Sequence, residues 1–179
     1  LLRRASTIRQ KHHSSNHPML AEPMDRLGEV LVKQGRFDET EPLLRRAMAI
    51  RNEVLPEVHP ARAVSLNNMG RLLREQEDYA AAERLLREAQ AIYQEMYGPV
   101  NMDAATTLFE RAQVYHAKGD YYTAETLYKE SIEIQRSLHG LDNHFTQRYL
   151  AELVQLYEVW DKPDAISQYR AMLITSEIR

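Results

Sequence analysis

Six of the seven histidines, His12, His13, His17, His59, His139 and His144, fall in polar stretches between apolar helical runs. Metal binding or general-base chemistry needs such groups to converge, held about 3 Å from a reacting atom. Adjacent His12 and His13 come with no third ligand. His17-Pro18 and His59-Pro60 read as turns ahead of a helix, where proline's fixed φ and missing N–H are well accommodated. The chain has no cysteine, which excludes thiolate nucleophiles, disulfides and Cys-ligated zinc. It also contains no glycine-rich phosphate loop, no HExxH and no GxSxG, the spacings that would place phosphate, zinc or an acyl group. The reading is non-catalytic, with no metal and no cofactor.

Recognition of a polypeptide is the other chemistry within reach. Asn67 carries both a donor and an acceptor for a peptide unit. Arg71 and Arg74 follow four and seven residues later, on the same helical face, with guanidinium forks suited to a carboxylate. Read as a contact patch, these three bind a partner. Read as a solvated face, the arginines are balanced by Glu29, Glu75 and Glu110. Phe109 likewise has two readings, a peptide-stacking aromatic or an internally packed one. Tyr115 and Tyr157 match Leu31 and Leu73 in register and read as core.

The elements that position these residues recur every 42 residues. Gly28, Gly70 and Ala112 share one register, Phe37, Tyr79 and Tyr121 a second, and Glu41, Glu83 and Glu125 a third, with Ile8, Ile50, Ile92 and Ile134 completing the ladder. Such a period implies stacked units, each burying its apolar face only against its neighbours. Apolar residues at helical spacing, such as Val64, Leu66, Met69, Leu72 and Leu73, predict first helices over 20–34, 61–76, 103–118 and 144–160. Second helices are predicted over 38–54, 79–96, 121–138 and 163–178. The small residues Gly28, Gly70 and Ala112 predict close helix approach. Gly35 and Gly119 suit the left-handed residue after a helix C-terminus, whereas Glu77 and Asp161 stand at the same place without that freedom. Leu1–Arg9 reads LLRRASTIR against LLRRAMAIR at Leu43–Arg51. It is therefore expected to be the second helix of a truncated repeat rather than a leader, since it lacks an apolar core and cleavage site. The divisions are 1–16 for that helix and its connector, then repeats over 17–58, 59–100 and 101–142, and a degenerate, capping-type repeat over 143–179. The fold class is all-α, an α-solenoid of stacked antiparallel helix pairs.

Hydrophobic residues make up 44% and charged residues 27% of the chain, a soluble balance. The net charge of -3 supplies no broad field for nucleic acid. No apolar run approaches the roughly 18 residues of a membrane span. Absence of cysteine fits either redox compartment, and a cytoplasmic location is the working expectation. The expected partner is a protein or peptide, not nucleic acid or membrane. Self-association through solenoid ends, around Leu1, Leu2 and Ile8 and around Leu173, Ile174 and Ile178, is an alternative, as is a regulatory array joined to a catalytic domain elsewhere.

Leu66, Gly70, Tyr79, Ala82 and Ala89 together resemble the tetratricopeptide repeat pattern. The 42-residue unit, the His-Pro before each of two first helices, Leu66–Asn68 and the run Glu41–Ala47 resemble the kinesin light chain subtype. That resemblance implies a right-handed superhelix whose first helices line a concave, peptide-binding groove. Carried over by register, the groove comprises Asn67, Asn68, Arg71 and Arg74, then Phe109, Gln113 and His116, then Arg148. The asparagine pair occurs only in the second unit; the others carry Asp25-Arg26, Phe109-Glu110 and Ala151-Glu152. A carboxylate clamp of the chaperone-binding kind is not matched, because Asp25, Glu29, Thr106 and Glu110 occupy its basic and polar positions and would repel a terminal acid.

Overall fold

The computed structural model describes residues 18–173. The segment predicted to be a truncated repeat, Leu1–Arg9, and the apolar end residues Ile174 and Ile178 lie outside them. After a 3-10 turn at Pro18–Leu20, the described chain forms eight α-helices. They are α1 (Ala21–Lys33), α2 (Phe37–Val54), α3 (Pro60–Glu75), α4 (Tyr79–Tyr97), α5 (Met102–Lys118), α6 (Tyr121–His139), α7 (His144–Val159) and α8 (Pro163–Arg170). Each odd-numbered helix pairs with the next, and each pair packs on the following pair.

The ends of the helices follow from local chemistry. Asp78, Asn101, Asp120 and Asn143 accept hydrogen bonds from the backbone N–H groups of Ala81, Ala104, Thr123 and Phe145, satisfying donors the helix leaves orphaned. His59 Nδ1 does the same for Ala61 N at 3.1 Å, with Pro60 as the first helical residue. His59 is thus a helix cap. At the hairpin turn inside each pair the chain makes two backbone bonds back into the helix. In the second unit they run from Asp78 N to Leu73 O and from Glu77 N to Arg74 O. This is the Schellman closure, which needs a left-handed residue. Gly35 and Gly119 supply it in units one and three, whereas Glu77 (φ 63°) and Asp161 (φ 54°) adopt it against their steric preference.

Two glycines inside helices sit under leucines of the partner helix. A Cβ placed on Gly28 would fall 2.5 Å from Leu44 Cδ2, and one on Gly70 2.7 Å from Leu86 Cγ. Leu44 and Leu86 are 42 residues apart and both are fully buried. In unit three the pair becomes Ala112 and Tyr128, also buried. The core is consequently a row of small clusters. Leu44 joins Met69 and Leu72 of the next unit, and Leu86 joins Val114 of the one after. The largest cluster spans units three and four.

The fourth unit departs from the others as its sequence suggests, and further. Its second helix stops at Arg170 and buries no residue fully, short of the predicted 163–178. Pro163 replaces the hairpin aromatic, and Trp160 packs against the aromatics of unit three. The indole lies 6.0 Å from Tyr121 and 4.5 Å from Tyr122, ring to ring.

Gly70→Ala tests whether close approach outweighs helix propensity. Alanine gains about 1 kcal/mol in propensity, but overpacking against Leu86 costs about 1–3 kcal/mol. The expected result is a lowered urea midpoint with unchanged helicity by circular dichroism. A raised midpoint would show that Leu86 yields freely.

Candidate peptide-binding groove

The first helices face one another across the repeat step. Helix α1 lies against α3, and α3 against α5, while the second helices make no comparable contact among the described residues. A stack whose layers touch more closely on one side curves toward that side. The inner wall is therefore built from α1, α3, α5 and α7.

One register on this wall carries the contact between units. Asp25, Asn67 and Phe109 occupy it at 42-residue intervals. Asn67 and Phe109 each meet a residue of the next first helix, Asp25 reaches one through Arg51, and those residues, Ser65, Thr107 and Tyr149, are also 42 apart. Between units one and two the link is ionic: Arg51 of α2 donates to both Asp25 Oδ2 and Ser65 Oγ. Between units two and three it is polar, with Asn67 Nδ2 donating to Thr107 Oγ1 at 3.0 Å. Between units three and four it is aromatic, the rings of Phe109 and Tyr149 stacking at 4.0 Å with 12° between planes. Tyr93 and Gln135 hold the register of Arg51 and are buried.

A second tier of contacts is electrostatic. Arg71 Nη1 lies 3.2 Å from Glu29 Oε1 and its Nε 3.4 Å from Glu110 Oε1. Arg74 Nη1 lies 3.1 Å from Glu110 Oε2, its Nη2 2.7 Å from Glu75, and it also donates to Gln113. Glu110, only 5% exposed, thus receives both arginines. One unit further on, the Arg74–Glu110 registers hold His116 and Glu152. Desolvation lowers His116 below the ordinary imidazole range, with Glu152 opposing. Its ring packs edge-on to Tyr121 and Tyr128.

These contacts decide which expected groove residues face solvent. Phe109 is 1% exposed, beneath Arg148, whose guanidinium lies 5.2 Å above its ring. It is a floor residue, not a stacking surface for a peptide. Asn68 is 7% exposed and turns toward Asp25. Asn67, Arg71, Arg74 and Gln113 are half-buried with their polar groups engaged by neighbouring units, His116 is half-buried against Tyr121 and Tyr128 of its own unit, and Arg148 is exposed. The acids weighed as balancing partners, Glu29, Glu75 and Glu110, are the ones the arginines contact.

The chain matches the tetratricopeptide repeat model over residues 19–95 and 103–172. It belongs to the tetratricopeptide repeat family. The fold is the α-solenoid of that family, whose repeats generally mediate protein–protein interaction as scaffolds. Among solved structures, the chain is similar to a putative kinesin light chain from Podosopora anserina with nearly identical TPR-like repeats. The identity is 22% over 90% of this chain and 80% of that one, with a TM-score of 0.75. It is also similar to BtubC (BKLC) from P. vanneervenii, at 19% identity over 94% and 66% of the two chains and a TM-score of 0.74. No curated protein matches it significantly.

Links that sequence reasoning did not anticipate join second helices to the following first helix. Glu83 of α4 accepts from Arg111 Nη2 at 2.7 Å and from the Tyr115 hydroxyl at 3.2 Å, and also from Arg87. One unit on, Tyr157 donates to Glu125 at 2.6 Å. The 42-residue spacing of Glu41, Glu83 and Glu125 was the visible signal. Tyr115 and Tyr157 share a register too, but that column reads as core by itself, and only the structure pairs it with the glutamate column. Among the described residues there is no group of three or more His, Asp or Glu able to hold a metal ion, and no helix long and apolar enough to cross a membrane.

Burial pushes the Glu83 carboxyl up, but Arg111 and Arg87 more than offset this and hold it below the usual range. A carboxyl with a depressed folded-state pKa contributes stability above its unfolded value, near 4.3, and loses it as pH falls through the folded one. Wild-type stability is therefore expected to fall on acidification below about pH 4.3. Glu83→Gln should be less stable at pH 7 and should show a shallower loss from pH 5 to pH 3, read from urea midpoints. Parallel pH profiles would contradict the assigned link.

Proposed function

We propose that the inner wall of this solenoid is a reversible binding surface for a protein or peptide segment. The carrying observation is the set of contacts joining one first helix to the next. Asp25–Arg51–Ser65, Asn67–Thr107, Arg71–Glu29, Arg74–Glu110 and Phe109–Tyr149 each tie adjacent units. They hold the wall in one shape before any ligand arrives. A wall already ordered avoids much of the entropic cost of binding.

The roles within the wall then differ. Arg71 and Arg74 are scaffold cations, since each is shared between carboxylates of neighbouring units. Ligand contact falls instead to exposed side chains in the same tract, chiefly Arg148 and Gln155 near α7 and Glu22 and Val64 near α1 and α3. Binding through exposed charges should weaken with salt.

Peptides selected against the chain from a random display library provide the test. Arg148→Glu combined with Gln155→Ala on the inner wall is expected to weaken the selected peptides by about tenfold. Arg87→Glu on α4, outside the wall, should leave them unchanged. Peptides indifferent to the inner-wall pair but sensitive to Arg87→Glu would overturn the groove reading.

A further inference from the structure

Two columns of the first helices are shielded in the later units and open in α1. Val30 is 50% exposed, whereas Leu72, Val114 and Leu156 in its column are 0%, 1% and 0%. Leu27 is 48% exposed, whereas Met69 and Leu153 are 3% and 0%; Arg111, the remaining member of that column, is half-buried against Glu83. We propose that this face of α1 is a docking surface for the chain's own segment Leu1–Arg9, seated as a helix with Leu2 over Leu27 and Val30. The inference is independent of the groove reading above.

In the later units these columns are covered by the second helix of the preceding pair. Leu44 of α2 clusters with Met69 and Leu72, Leu86 of α4 with Val114, and Tyr128 of α6 with Leu153 and Leu156. The three covering residues are 42 apart, and Leu2 is the next position of the same column toward the N-terminus. Leu2 precedes Val30 by the span that separates Leu44 from Leu72 and Leu86 from Val114. His17-Pro18 follows the segment as His59-Pro60 follows α2. The chain ahead of α1 therefore has the length needed to bring Leu2 back onto α1, as the α2–α3 connector does for Leu44.

The segment differs from Leu43–Arg51 at two positions, Ser6 for Met48 and Thr7 for Ala49. Ala49 is exposed on α2, so Thr7 faces away from the docking surface. Met48 packs against the cluster of Ala63 and Leu66, and a serine at its register supplies less apolar area. Leu2 is consequently the main anchor. A stretch this short does not hold a helix alone in water, so its helix depends on the apolar partner that α1 offers. Tethering favours this occupant over a second copy of the chain. A short linker gives an effective concentration on the order of millimolar, and adjacent exposed apolar side chains mark a surface that something covers.

Methyl NMR of the full chain tests the proposal. Through-space cross-peaks are expected from the Leu2 methyls to those of Leu27 and Val30. Leu2→Asp should remove the contact, shift the Leu27 and Val30 signals and lower the urea midpoint, with circular dichroism reporting that the remaining helices are folded. Thr7→Asp adds the same charge at the outward register and should leave all three readouts unchanged. Wild-type spectra without Leu2 cross-peaks, Leu27 and Val30 signals indifferent to Leu2→Asp, or equal effects of the two aspartates would overturn the proposal. Cross-peaks that arise only between differently labelled chains in a mixed sample would assign the surface to a second copy and overturn it as well.

Discussion

Everything in this molecule depends on one constraint: each first helix must meet the next at a fixed offset. A helical hairpin of this length is marginal alone and gains its stability from its neighbours. The offset is set at one column of the repeat, where Asp25, Asn67 and Phe109 face Ser65, Thr107 and Tyr149. The chemistry of that contact changes along the solenoid, from a buried ion pair to an amide–hydroxyl bond to stacked rings. Different links at equivalent positions mean that a unit displaced by one step would meet the wrong partner. An asparagine amide is a poor match for a phenol ring, and a buried aspartate without Arg51 would be an unpaired charge. Identical backbones are thereby held in a unique order by unlike side chains.

The same constraint divides labour among the charges. Arg71 and Arg74 have the sequence spacing of a carboxylate-binding patch, yet Glu29 and Glu110 already occupy them. A guanidinium shared between units stiffens the wall it lies in. Removing one arginine would leave Glu110, buried to 5% exposure, less well compensated. What remains for the proposed recognition is the exposed chemistry at the two ends of the tract, Glu22 and Val64 near α1 and Arg148 and Gln155 near α7.

Much of the architecture was legible from residue types alone. The 42-residue period located the helix pairs, the small residues at 28 and 70 marked where leucines descend onto backbone, and Glu77 and Asp161 marked left-handed turns. Each is a property of one column read by itself. The candidate site was less legible because availability is a property of two columns. Phe109 stands at a polar register of the first two units, so nothing in its own helix says that Tyr149 and Tyr128 close over it. Asn68 lies on the expected face but is covered. Arg51, a charged residue on a second helix, gave no local hint of burial; only alignment with Tyr93 and Gln135, 42 and 84 residues on, places it in an interior column.

A double-mutant cycle across one repeat step tests this account most directly. With Arg74→Ala, Glu110→Ala and the double variant, urea unfolding yields the coupling between α3 and α5. Coupling of about 1–3 kcal/mol is predicted, because the two side chains are largely shielded and share a network. Additivity within about 0.5 kcal/mol would mean that the units are positioned by apolar packing alone, and that the ionic tier of the inner wall is incidental.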